Sequence, residues 1–193
     1  MQLISPGKIL LLLSMTVVNT ACVTSSQRIT GDSTAHVVSE LRDWQARGRV
    51  GVSTEVQSGS GGFSWQQTAG VSEIQIHGPV GVGALSLLLD ESGVKLLGSD
   101  GTYLNADAAL LEMQSDLGAS LPITLLRYWM LGVEAPGEYH WLSPARNLLE
   151  QAGWQISYEE WVRRGELKLP ARIQLVNGTT RILLVVQSWN LSV

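Results

Sequence analysis

Between positions 50 and 97 the chain keeps a period of two. Val50, Val52, Thr54 and Val56 alternate with small or polar residues, and Phe63, Trp65 and Gln67 do the same beyond a Gly-rich turn expected at 59–62. Ile74 and Ile76 stand against Glu73, Gln75 and His77; Leu85, Leu87 and Leu89 resume the pattern after a loop at 78–83. Two more short segments follow at 94–97 and 102–104, around Ser99-Asp100-Gly101. Successive side chains of a strand point to opposite faces, so the pattern predicts strands with one apolar face. Connections this short leave no room for crossover helices, and strands joined by tight turns pair antiparallel.

Helical spacing occurs in three places. Val37, Val38, Leu41 and Trp44 follow Asp32 and Ser33, either of which can cap a short amphipathic helix. Beyond Asn105, Leu110, Leu111, Met113 and Leu117 precede Gly118, and Leu125, Leu126, Trp129 and Met130 lie between Pro122 and Gly132, which together predict a helical hairpin. Strand patterns return at 139–142, 154–158 and 172–176. Asn177-Gly178 is the strongest hairpin signal in the chain, and the last strand covers 181–189. The expected class is α+β, with helices segregated to one face of an antiparallel sheet. Nine or more twisted strands tend to curl toward a barrel, and helices packed into the curl can enclose an apolar cavity.

The 193 residues suffice for one domain, and a composition 45% hydrophobic and 16% charged excludes a disordered chain. Thirteen Lys and Arg are set against 17 Asp and Glu with no basic cluster, so nucleic acid is not an expected partner. Lys8 precedes an apolar run at 9–18, too short to span a bilayer, and Thr20-Ala21 precede Cys22, so 1–21 reads as a signal peptide. Cys22 is the only cysteine and sits where a bacterial lipoprotein carries its acylated cysteine, with Asn19 where Leu is usual. Residues 22–31 then form a polar, lipidated tether and 32–193 a single domain.

No catalytic or metal constellation is legible. His36, His77 and His140 lie far apart, and no nucleophile elbow, zinc or phosphate-loop motif occurs. The Gly-rich stretch at 78–83 has the wrong order for a dinucleotide loop, so no cofactor is expected. Glu159 and Glu160 are adjacent in a strand and point to opposite faces, a poor acid/base pair. Seven tryptophans against one phenylalanine are either core or the lining of a cavity, and composition does not separate the two uses. Leu125, Leu126, Trp129 and Met130 are likewise either ordinary packing or the inner side of a lid. Val80, between Pro79 and Gly81, either folds back onto the core or forms an apolar tip that dips into a bilayer.

Several segments together resemble one family, the outer-membrane lipoprotein receptor LolB. They are WQARGRV at 44–50, GFSWQQ at 62–67, GPVG at 78–81, LGASLPITLLRYWMLG at 117–132, GWQISY at 153–158, LPARI at 169–173, and Trp189. The resemblance implies an incomplete, half-open antiparallel β-barrel under a helical lid. Its apolar interior would accept acyl chains of lipoproteins from a LolA-type periplasmic carrier and release the lipoproteins into the inner leaflet of the outer membrane. Phe63, Trp65, Leu125, Leu126, Trp129 and Met130 are the expected cavity and lid residues. Pro79, Val80 and Gly81 fall on the family's membrane-insertion loop, with Val80 where Leu is usual, and Cys22 on its lipid anchor. A periplasm-facing, lipid-anchored monomer of a Gram-negative outer membrane is expected, with no enzymatic activity. The alternative is a structural lipoprotein scaffolding an outer-membrane assembly complex, for which a tight tryptophan core without a cavity is expected.

Overall fold

A computed structural model describes residues 37–78, 84–97, 103–105 and 121–191. Eleven strands form one sheet: β1 (Trp44–Ser53), β2 (Ser58–Thr68), β3 (Val71–His77), β4 (Ala84–Asp90), β5 (Gly93–Leu97), β6 (Tyr103–Asn105), β7 (Tyr139–Trp141), β8 (Leu148–Gln151), β9 (Trp154–Arg164), β10 (Leu167–Asn177) and β11 (Thr180–Leu191). The spatial order is β6-β5-β4-β3-β2-β1-β11-β10-β9-β8-β7, every neighbouring pair being antiparallel. The chain thus meanders outward from β1 to one edge, passes through helix α1 (Ile123–Leu131), and meanders back from the other edge until β11 pairs with β1. The barrel is incomplete because β6 and β7 do not meet, and α1 packs on the inner face.

The helix is held mainly by its C-terminal half. Trp129, Met130 and Leu131 are buried, and each such side chain contributes roughly 1.5–3 kcal/mol through removal from water. Gly132 ends it in the left-handed region at φ 79°; its N–H donates to Trp129 O and that of Val133 to Tyr128 O, a Schellman pairing. A Cβ at Gly132 would lie 2.7 Å from the Trp161 ring, so glycine is required there twice over.

The structure corrects the sequence reading at several points. Only 37–39 of the expected first helix are helical among the described residues, and Trp44 opens β1. Burial explains the difference: Trp44 sits between Trp65 and Trp189, with centroids 5.5 and 5.4 Å away. That contact spans the whole sequence, so local spacing could not reveal it. The turn expected at 59–62 lies instead at 54–57, where the Thr54 N–H donates to Gln57 O and Thr54 Oγ1 accepts from the N–H groups of Val56 and Gln57. The glycines are inside β2, and a Cβ at Gly61 would come within 2.3 Å of His77 O on the neighbouring strand. β8 was not anticipated, and β9 and β10 run longer than expected, with Pro170 beside a register shift. The expected helix between 105 and 118 lies outside the described residues except Asn105, which ends β6.

Candidate functional site

The inner face of the curled sheet and the underside of α1 leave a cavity of about 200 Å³. One wall comes from Val50 and Val52 of β1, Phe63 and Trp65 of β2, Ile74 and Ile76 of β3, and Leu85 and Leu87 of β4. Leu175, Ile182 and Leu184 of β10 and β11 form the other, and Leu121, Ile123, Leu126 and Met130 close it from the helix side. The ladders explain the grouping, since cross-strand partners share a face: Phe63 opposes Ile76, Trp65 opposes Ile74, and Val50 opposes Leu184. Gly59 and Gly61 face Val52 and Val50 across β1 and β2 and contribute no side chain. At Gly61 the place of a Cβ is taken by the β3 backbone at His77 O, so the aliphatic residues around it set the space.

None of the described lining residues carries an ionisable side chain, so they offer no group to move a proton. It can remove apolar groups from water, which is worth roughly 0.8 kcal/mol per methylene. The one polar side-chain atom among the described lining residues, the Trp65 indole N–H, is buried with no hydrogen-bond partner.

Of the six side chains expected in the cavity and lid, Phe63, Trp65, Leu126 and Met130 are on the cavity wall. Leu125 is not; it borders a separate groove with Pro136, His140 and Gly153 on the other side of the helix. Nor does Trp129 line the cavity. It is buried against the sheet, its indole N–H donating to Gln151 Oε1 at 2.9 Å. A helix has one inward stripe, and positions 126 and 130 occupy it while 125 and 129 are rotated away. Only Trp65 among the seven tryptophans lines this space; aliphatic strand residues, visible in the sequence as alternation, do most of it. Cys22 and Pro79, Val80 and Gly81 lie outside the described residues.

The helix is tied down at one end. Gln151, itself buried, accepts from Trp129 and from the Ala135 N–H at 3.0 Å and donates to Ala135 O at 2.8 Å. Next to it, Glu134 pairs with Arg146 and accepts from the Trp141 indole at 3.1 Å. Partial burial opposes the Glu134 charge, but hydrogen bonds from the backbone and Arg146 hold its carboxyl below the usual range. Burial, and then the negative Glu134, push the nearby Tyr158 hydroxyl far above the ordinary phenol range. At the other end Ile123 is buried in the core, and Pro122 caps the helix without a side-chain hydrogen bond, its O accepting from the Leu125 N–H.

The other sequence candidates are elsewhere. Glu159 pairs with Arg172 at 2.6 Å, and among the described residues no three His, Cys, Asp or Glu side chains gather as metal ligands.

Comparison with known proteins agrees with this architecture. The family described as Outer membrane lipoprotein LolB matches residues 42–189. The outer-membrane lipoprotein LolB of Marinomonas sp. is 31% identical over 189 residues, covering 94% of this chain and 97% of the relative. That of Pseudomonas paraeruginosa is 37% identical over 158 residues, 79% of this chain and 76% of the relative. Among solved structures, a DUF1329 family protein from Desulfovibrio piger is similar in fold, with a TM-score of 0.56 at 8% identity over 83% of this chain and 90% of that one. With that family match over most of its length, and with relatives of this identity, the chain belongs to the LolB family of outer-membrane lipoproteins.

Proposed function

We propose that this chain accepts acylated lipoproteins from a LolA-type periplasmic carrier and places them in the inner leaflet of the outer membrane. The observation that carries the reading is the wholly apolar cavity beneath α1 in a member of this family. A triacylated protein cannot cross water cheaply, because every exposed methylene costs roughly 0.8 kcal/mol. Transfer therefore runs from one apolar site to another, and its direction needs only that each site hold the acyl chains more favourably than the last. No covalent step is required.

Cys22 serves as the lipid anchor in this reading, residues 1–21 as the cleaved signal, and Pro79, Val80 and Gly81 as the segment that enters the bilayer.

The test is native mass spectrometry of residues 23–193 mixed with an acylated lipoprotein loaded on the carrier. A one-to-one complex of this domain with the lipoprotein is expected. Retention of all cargo on the carrier, by a domain shown to be folded, would overturn the reading.

A further inference from the structure

Trp65 is 4% exposed and brings a polar hydrogen into an otherwise apolar wall. Its indole N–H has no hydrogen-bond partner among the described residues. Three other indoles, none of them on the cavity wall, are satisfied. Trp129 donates to Gln151 Oε1 at 2.9 Å, Trp141 to Glu134 Oε2 at 3.1 Å, and Trp189 to Pro170 O at 2.9 Å. The fold thus supplies acceptors to indoles packed away from the cavity and withholds one from the indole that borders it. A buried donor left unpaired is destabilising, and a phenylalanine would fill much of the same space without that penalty.

The donor is also held in place. Trp65 stands opposite Ala46 on β1 and Ile74 on β3, and the Trp44 ring packs against it with centroids 5.5 Å apart and planes at 42°. The π face of Trp44 is a weak acceptor, second-order beside a carbonyl. Water is a poor partner too, because a water retained inside a protein makes about two to four polar contacts, and the described lining residues offer this one polar side-chain atom. What suits an isolated donor in an apolar wall is an acceptor with no donor of its own that arrives joined to hydrocarbon. The carbonyl of an acyl ester has that chemistry. A fatty-acid carboxylate suits it less, since none of the described lining residues carries a charge to offset the loss of its hydration.

We propose that the Trp65 indole N–H donates to the ester carbonyl of a bound acyl chain, so that the cavity selects ester-linked chains over chains lacking the carbonyl. This rests on the acyl-accepting function proposed above and deepens it. Apolar surface alone binds any hydrocarbon that fits, whereas a fixed donor disfavours the analogue that leaves it unpaired. The N–H is closed to water here, so a carbonyl reaches it as neighbouring side chains yield to the entering chain; unbranched Met130 is the most adaptable of the lining residues.

The test uses residues 23–193, which keep every described element. They are incubated with equal amounts of 1-palmitoylglycerol and 1-O-hexadecylglycerol, an ester and an ether of equal length in which a carbonyl replaces a methylene, and the lipid retained after gel filtration is quantified by mass spectrometry. The ester is expected in about tenfold excess. Trp65→Phe, which keeps a ring and removes the donor, is expected to bring the ratio close to one. Equal retention of the two lipids by the native chain, or an undiminished ester preference in Trp65→Phe, overturns the inference and leaves the cavity as an acyl site. Retention of neither lipid by the folded native chain overturns the acyl-accepting function, and the inference with it. The indole N–H signal of Trp65 in the native chain, identified in a proton–nitrogen correlation spectrum by its absence from Trp65→Phe, gives an independent readout. It is expected to move downfield with the ester and to stay in place with the ether. A signal that ignores the ester overturns the inference even where Trp65→Phe binds neither lipid.

Discussion

The tryptophan-filled end and the cavity end are built on the same strands with the same alternation, and they differ in side-chain volume. At one end Trp65, Ala46 and Trp189 oppose one another across β2, β1 and β11, and Trp44 packs at a tilt against both indoles. Two residues farther along, toward the other end, Phe63 and Val186 face Gly48, and then Gly61, Val50 and Leu184 come into line. Large rings close the first end, while aliphatic side chains border the space at the second. The glycines between them admit close backbone approach, since a Cβ at Gly48 would lie 2.0 Å from Val185 O and one at Gly61 2.3 Å from His77 O.

Truncating the packed end should cost most. Trp44→Ala removes a ring that is 2% exposed and contacts two others, and a loss of about 3–5 kcal/mol is expected in urea denaturation. The same experiment at the cavity end should cost less. Leu184→Ala borders empty space and is expected near the lower limit of about 2 kcal/mol for such changes, whereas Leu169→Ala, fully buried away from the cavity, should exceed it. Equal costs for the two leucines would remove the distinction.

A second comparison uses the two indoles. The N–H of Trp189 donates to Pro170 O at 2.9 Å, while that of Trp65 has no partner. Trp189→Phe strands a buried carbonyl and is expected to cost about 1–3 kcal/mol from that term, and Trp65→Phe should cost clearly less because it also relieves an unpaired donor. Filling the hollow end tests function instead of stability. Val52→Trp is expected to leave the melting temperature within a few degrees and to abolish displacement of a fluorescent fatty acid, because it occupies the cavity without entering the packed core.

The smallest effect is expected at the charged turn. Lys95, and then Ser92, hold the Asp90 carboxyl at about 2, against an ordinary value of 3.8. A depressed carboxylate pKa adds stability that is complete above the unfolded value and lost as pH falls through the folded one. Asp90→Asn should therefore be slightly less stable than the parent at pH 7, with the difference vanishing between about pH 4 and pH 2 in thermal melts. The Lys95–Asp90 pair is partly exposed and screened by solvent, so the change is small.

Most of the strands were legible because alternation is local and β-strand pairing here is mostly between neighbours in sequence. The elements that were missed depend on distant partners or on turn chemistry. Trp44 fits the helical spacing of Val37, Val38 and Leu41, but its ring belongs between Trp65 and Trp189. The glycines at 59–62 look like a turn, yet Thr54 makes the turn five residues earlier and Gly61 lies where the backbone of β3 needs room. Within α1, Leu125, Leu126, Trp129 and Met130 share one periodic pattern, and only the sheet position shows that 126 and 130 face inward to the cavity.

By itself the amino-acid sequence determined the antiparallel meander, the helix ending at Gly132 and the family, since these follow from side-chain periodicity, glycine geometry and the LPITLLRYWMLG segment at 121–132. The tertiary structure alone decided that β11 closes onto β1, which tryptophan fills space and which borders it, and at which end of the barrel the void lies. The physical reason is that a cavity is a difference between the volume enclosed by the sheet and the volume of the side chains sent into it. Residues far apart in the chain set both quantities, and no local pattern reports their difference.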